Sequence, residues 1–141
     1  MFVNDSISTT PEATKAALAA YEGTRIALIA GGHERQQDYA ELATLLAPRG
    51  VTTLVCLPVT GDRLATLTYA AAPDIDVLEA GTLDDALKAL AGRRDKFDAV
   101  ILSPGAPSYG QLEAPGVVFK NFEQRGAAFV KLAERYFGPA S

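Results

Sequence analysis

Phe97–Gly110 reads FDAVILSPGAPSYG: an apolar run, Ala99–Leu102, that breaks into small, turn-forming and hydroxyl residues. A run apolar at successive positions suits a parallel strand buried on both faces, not a strand with one wet face. The same shape recurs upstream in RIALIA (Arg25–Ala30), VTTLVCL (Val51–Leu57) and IDVLEA (Ile75–Ala80), and FVN (Phe2–Asn4) reads as the end of one more strand. Helical patterns lie between them. Thr10-Pro11, an N-cap before a proline at the first helical position, leads into EATKAALAAY. YAELATLLAP carries apolar residues at helical spacing and stops at Pro48. TLDDALKAL starts on Thr82 with Asp85 three residues on, and a last helix runs from about Asn121 to Phe137, with Gln124 placed to close a capping box on Asn121. That helix is expected to bury Phe122, Phe129, Leu132 and Tyr136 or Phe137. Strands alternating with helices predict a single, doubly wound α/β domain with a mainly parallel sheet.

Bulk properties exclude several function classes. The chain has 141 residues, 48% of them hydrophobic and 21% charged, with a formal net charge of -4. No basic stripe is present to neutralise phosphates, which argues against a nucleic-acid partner. No apolar run approaches the roughly 20 residues of a membrane span, so no membrane partner is expected. One histidine and one cysteine argue against a dedicated zinc site, and no metal site is expected. Cys56, alone in VTTLVCL, reads as a small core residue in a reducing, cytoplasmic setting.

Three polar loops follow apolar strands: NDSISTTP (4–11), GGHERQQD (31–38) and SPGAPSYG (103–110). Ligands of open parallel sheets collect where strands end and helices begin, so these loops are expected to face one cleft. Taken singly, each has a plainer reading as a helix cap, a glycine turn or a solvated charged face.

Taken together with FKNFEQRG (119–126), the loops resemble the C-terminal domain of the Mur ligases, specifically the enzymes that add glutamate to UDP-N-acetylmuramoyl-L-alanine. The order and spacing of the four pieces match over nearly the whole chain. The resemblance implies a three-layer, Rossmann-like α/β domain that grips the incoming glutamate and closes over an ATP-binding domain. ATP, with magnesium, would activate the muramoyl-alanine carboxyl as an acyl phosphate for attack by the glutamate amine. By resemblance, Thr9 and Arg35 hold one carboxylate of glutamate. Ser108 and the backbone amides of Tyr109 and Phe122 hold the other, and Asp5 lies toward the nucleotide ribose. No residue of this domain is implied as catalytic, and His33 is left outside the site.

Departures from the family pattern carry their own expectations. A family lysine in the first loop is Ile7 here, expected to pack beside the substrate pocket and to take no part in phosphate binding. The lysine of the second loop is Arg35, which keeps the charge and offers a planar fork. Leu112–Val118 is an insertion between SYGQ and FKNF. NDSISTTPEAT with SPGAPS is more similar to the branch that adds L-glutamate than to the D-glutamate enzymes. No G-x-x-x-x-G-K-[ST] phosphate loop occurs in the 141 residues. The chain is therefore expected to be residues 1–141 of a C-terminal domain, with Met1 supplied for expression. The central ATP-binding and N-terminal UDP-binding domains lie outside it, and it holds no cofactor and is inactive alone.

Other enzyme classes fit less well. The SPG loop is similar to that of class I glutamine amidotransferases, but Cys56 lacks the flanking glycines of their nucleophile turn. A serine hydrolase would need a G-x-S-x-G elbow, which is missing. The alternative kept beside the ligase reading is a standalone, non-catalytic α/β module that binds a small anion or a partner protein.

Overall fold

The structure is a computed structural model and describes residues 1–138. Five parallel strands form one sheet: β1 (Phe2–Asn4), β2 (Ile26–Gly31), β3 (Val51–Leu57), β4 (Asp76–Glu79) and β5 (Ala99–Leu102). Their spatial order is β1-β5-β2-β3-β4. Five helices flank it: α1 (Pro11–Ala19), α2 (Ala40–Leu45), α3 (Thr60–Ala71), α4 (Leu83–Ala91) and α5 (Phe122–Phe137). A small antiparallel hairpin, β6 (Leu112–Ala114) and β7 (Val117–Val118), stands apart from the main sheet. It spans the Leu112–Val118 segment expected to be an insertion.

The period-2 geometry of a strand divides β2 between two cores. Ile26, Leu28 and Ala30 pack with Leu18 of α1, Leu42 of α2 and Leu64 of α3, while Ala27 and Ile29 pack with Leu87 of α4 and Phe129 of α5. The doubly wound α/β arrangement expected from the alternating runs is what forms, with helices on both faces of a parallel sheet. Burial on both faces holds for β2, β3 and β5 but not for the two edge strands. β4 is half-exposed along its length, and its Asp76 pairs with Arg93 and Lys96 at 3.0 and 3.3 Å. An edge strand carrying a paired charge is a poor template for further strand addition.

Three of the predicted helix starts are formed as expected in place. Thr10 caps α1 by accepting from Ala13 N at 3.2 Å, Thr82 caps α4 by accepting from Asp85 N, and Asn121 caps α5 by accepting from Gln124 N at 2.8 Å. The capping box on α5 is displaced by one residue, because Gln124 Oε1 accepts from Lys120 N rather than from Asn121 N. Phe122 is only half-buried, while Arg125 is fully buried on the same helix. α2 ends at Leu45, before the predicted stop.

α3 is not among the helices the sequence patterns point to. Its buried face is Thr60, Gly61, Leu64, Ala65 and Thr68, and no side chain caps it. Small and hydroxyl residues let it approach β3 closely: a Cβ on Gly61 would lie 2.9 Å from the Cys56 carbonyl carbon.

Candidate functional site

The strand order brings the three polar loops together. β1, β5 and β2 are adjacent and parallel, so the loops leaving their C-terminal ends emerge side by side. Backbone bonds join them: Gly105 N donates to Ser8 O, Gly31 N to Pro104 O and His33 N to Pro107 O, all at 2.8–2.9 Å. Gly32 lies so close to the third loop that a Cβ there would be 2.4 Å from Pro107 O. A side chain at that position would force the second and third loops apart.

In the first loop, the short polar residues divide their work. Thr10 alone caps the helix. Ser6 Oγ donates to Phe122 O at 2.8 Å, and Asn4 Oδ1 accepts from Ser6 N. Ser8 Oγ and Ser103 Oγ both donate to Asp5 Oδ2, the latter at 2.7 Å, and Thr14 Oγ1 donates to Ser103 O. These side chains replace a regular hydrogen-bond ladder where the backbone leaves the sheet. Asp5, expected near a ribose, thus turns one carboxylate oxygen into the loop junction. Among the described residues, no donor reaches its Oδ1.

The second loop is held from the side by α3. Arg63 binds Glu34 through two bonds, of 3.0 and 2.7 Å, donates to Gln37 O at 2.9 Å and lies over the Tyr39 ring. The Arg63 hydrogen bonds, opposed by a little desolvation, hold the Glu34 carboxyl below its ordinary range. Glu34 also accepts from Gln36 N, which supports Gln36 at a φ of 57° that side chains seldom adopt. Gln37 Nε2 reaches across to Thr9 O at 3.2 Å.

Thr9, Arg35, Ser108, Tyr109 and Phe122 line one open pocket, together with Pro107, Lys120 and Asn121. All five residues expected to hold glutamate therefore meet, from three loops and the start of α5. Phe122 is the first residue of α5, where a backbone N–H has no intrahelical acceptor and the helix dipole favours an anion. Among the described residues, no carboxylate pairs with Arg35 or Lys120. The pocket thus presents two unneutralised cations, the hydroxyl residues Thr9, Ser108 and Tyr109, and a helix start, a set suited to an anionic ligand with more than one carboxylate. The His33 ring stands edge-on to Tyr109, 5.0 Å between centroids, outside that lining.

Ile7 is not buried. It is 65% exposed and lines a neighbouring pocket with Asn4, Ser6, Phe122, Glu123 and Ala127. The expectation that it packs into a site shaped for a branched side chain is corrected: the polar atoms of Ser6 and Ser8 turn inward to bind the fold, and the residue between them points out.

The sequence reading missed Lys120 and Arg125. Arg125 is fully buried beneath the loops. Its Nε donates to Ser6 Oγ at 2.8 Å, Nη2 to Ser6 O at 2.8 Å, and Nη1 to Ala106 O and Gln111 Oε1 at 3.0 and 2.9 Å. Gln111 Nε2 passes the link on to Gly31 O. Both residues sit in FKNFEQRG (119–126).

The chain has no phosphate loop, and among the described residues no group of three or more His, Cys, Asp or Glu converges. Among the described residues, no helix is long and apolar enough to cross a membrane.

A protein named UDP-N-acetylmuramoyl-L-alanine--L-glutamate ligase from Micromonospora sp. is 38% identical over 133 residues, 92% of this chain and 27% of that protein. One of the same name from Xanthomonas campestris pv. campestris is 37% identical over 99% of this chain and 29% of its own length. A UDP-N-acetylmuramoylalanine--D-glutamate ligase from Chlorobium luteolum is 34% identical over 91% of this chain and 25% of its own. The chain thus spans under a third of the length of these curated relatives. Among solved structures, a UDP-N-acetylmuramoyl-L-alanyl-D-glutamate--2,6-diaminopimelate ligase matches with a TM-score of 0.48 and 14% identity, covering 86% of this chain and 28% of that one. Residues 1–106 match the family described as "Mur ligase, glutamate ligase domain", and the chain belongs to that family.

Proposed function

We propose that this chain is the glutamate-binding domain of an ATP-dependent ligase that joins glutamate to UDP-N-acetylmuramoyl-L-alanine in the cytoplasm, for peptidoglycan precursor synthesis. The observation that carries the reading is the pocket of Thr9, Arg35, Ser108, Tyr109 and Phe122 with its unneutralised cations. A dicarboxylate amino acid needs two separated anion clamps, and Arg35 with Thr9 forms one. Ser108 with the amides of Tyr109 and Phe122 forms the other. The domain's contribution is orientation: both carboxylates fixed, the amine left free to attack an acyl phosphate. ATP and magnesium, which activate the acceptor, belong on this reading to a central domain outside these 141 residues, and the UDP moiety to an N-terminal one. The isomer is read as L-glutamate, in line with the names of the two relatives at 37–38% identity.

The test is an assay of the intact ligase with D- and L-glutamate on the UDP-muramoyl-alanine acceptor, followed by substitution. Arg35→Ala should raise the glutamate KM and lower kcat/KM by about 10²-fold, from the loss of one charge-assisted clamp and misorientation of the amine. Ser108→Ala should do less, because a neutral hydroxyl contributes less than a cation. Unchanged glutamate kinetics in both variants would remove these residues from the site.

A further inference from the structure

The reading of the pocket as a glutamate site leaves the fully buried Arg125 without a role. Charged side chains are almost never completely buried unless paired, and this one meets only neutral acceptors: Ser6 Oγ and O, Ala106 O and Gln111 Oε1. Burial alone pushes its pKa down to about 10, with no carboxylate acting to raise it, so the guanidinium stays charged at neutral pH. A cation held by neutral groups is a costly element if cohesion is its only purpose, because an apolar side chain of similar size fills a core at less expense.

Its contacts coincide with the pocket. Ser6 lies three residues before Thr9, Ala106 two residues before Ser108, and Phe122 one helical turn before Arg125 itself. Gly32, three residues before Arg35, packs on the guanidinium: a Cβ there would come 3.4 Å from Nη1. Gln111 carries the chain of bonds on to Gly31 O, and Ser6 Oγ, which accepts from Arg125 Nε, donates to Phe122 O. One guanidinium therefore touches or is linked to every segment that supplies a clamp.

The geometry points to Arg125 as the positioning residue of the dicarboxylate site: its planar fork sets the spacing of the three loops and the start of α5, and its charge is left to be offset by the carboxylates of the bound substrate. This rests on the glutamate reading of the pocket. Two consequences separate the role from plain cohesion. The fork is needed for geometry, so a lysine is an incomplete replacement. The charge favours a ligand with two carboxylates over one with a single carboxylate, so its removal changes selectivity as well as affinity.

The experiment uses the isotope-labelled 141-residue chain, titrated with L-glutamate, D-glutamate and L-glutamine while the amides of Thr9, Arg35, Ser108, Tyr109 and Phe122 are followed by NMR. Arg125→Met removes the charge at similar length, and Arg125→Lys keeps the charge without the fork. The methionine variant should bind glutamate about 30-fold more weakly, with its preference for glutamate over glutamine largely lost, and the lysine variant about tenfold more weakly with that preference kept. Thermal denaturation of each variant shows whether it is folded. Glutamate binding by folded Arg125→Met within about twofold of the unmodified chain overturns the inference, as does an equal weakening for glutamate and glutamine. If Arg125→Met does not fold, Arg125→Lys decides: wild-type affinity in that variant overturns the positioning role. An unmodified chain that shows no glutamate-dependent shift overturns the glutamate reading, and this inference with it, a result distinct from failure in the variants alone.

Discussion

Ile7 and Arg125 exchange the roles their chemistry suggests. The isoleucine stands in water and the arginine is completely buried. Hydroxyls cause the first: Ser6 and Ser8 turn inward to Phe122 O and Asp5, and the turn between them, closed by Ser8 N donating to Asp5 O at 3.0 Å, leaves Ile7 pointing outward. A polar run with one apolar residue does not reveal which side faces the core when the core side is itself a hydrogen-bond network. The expected result of Ile7→Lys follows. An exposed apolar position beside an open pocket should accept an ammonium at little cost, so the melting temperature should change by no more than about 2 °C. A destabilisation of several kcal/mol, the size expected for a buried unpaired charge, would show instead that Ile7 is packed in solution. Cys56 is the residue read most directly from its surroundings: alone in an apolar run, it is buried in β3, and desolvation pushes its thiol up to about 12.

At the scale of elements, legibility followed side-chain size. β2, β3 and β5 are continuous apolar runs and were readable as buried parallel strands. α3 was not, because its core-facing residues are glycine, alanine and two threonines with a single leucine. Hydropathy patterns weigh bulk, whereas a helix lying against a strand at close range needs the lack of it. Missing α3 meant missing Arg63, and so the support of the second loop. That support predicts an acid sensitivity. Arg63 holds the Glu34 carboxyl below its ordinary value of 4.5, so the unfolded chain binds the proton more readily than the folded one. The pair's stabilisation is complete above that value and is lost as the pH falls through the folded pKa. Asp76, where Arg93 and Lys96 outweigh desolvation, and Asp98, bound by Arg25, are lowered as well and add to the same trend. Melting temperature measured from about pH 7 to about pH 3 should fall toward the acid end, and Glu34→Gln should show a shallower fall. Parallel curves for the two proteins would mean that the Glu34–Arg63 pair contributes nothing measurable, a common fate of exposed ion pairs.

For the molecule as a whole, strand order converts sequence motifs into a pocket. NDSISTTP, GGHERQQD and SPGAPSYG are far apart in sequence, and only the order β1-β5-β2 makes them neighbours. The convergence was inferable from the rule that ligands gather at strand C-termini. The pocket membership of Thr9, Arg35, Ser108, Tyr109 and Phe122 came through motif resemblance. Lys120 and Arg125 escaped because charged residues at a helix start read as a solvated face, and only the placement of α5 against the loops turns one to the pocket and buries the other. The same whole-molecule view sets the limit of what this chain does alone. Two apolar clusters, one on each side of the sheet, give it a core of its own, so the 141-residue chain should fold and melt cooperatively without additional domains. Folding is not turnover. Ligation requires ATP to be held and its γ-phosphate aligned, which needs a phosphate-binding loop and metal ligands; the sequence has no G-x-x-x-x-G-K-[ST], and among the described residues no group of three or more His, Cys, Asp or Glu converges. Incubated with ATP, magnesium, glutamate and the muramoyl-alanine acceptor, the purified chain should release no phosphate above background. Supplying the remainder of a ligase on the same polypeptide should restore it. Phosphate release coupled to product by the 141-residue chain alone would overturn the division of labour proposed here.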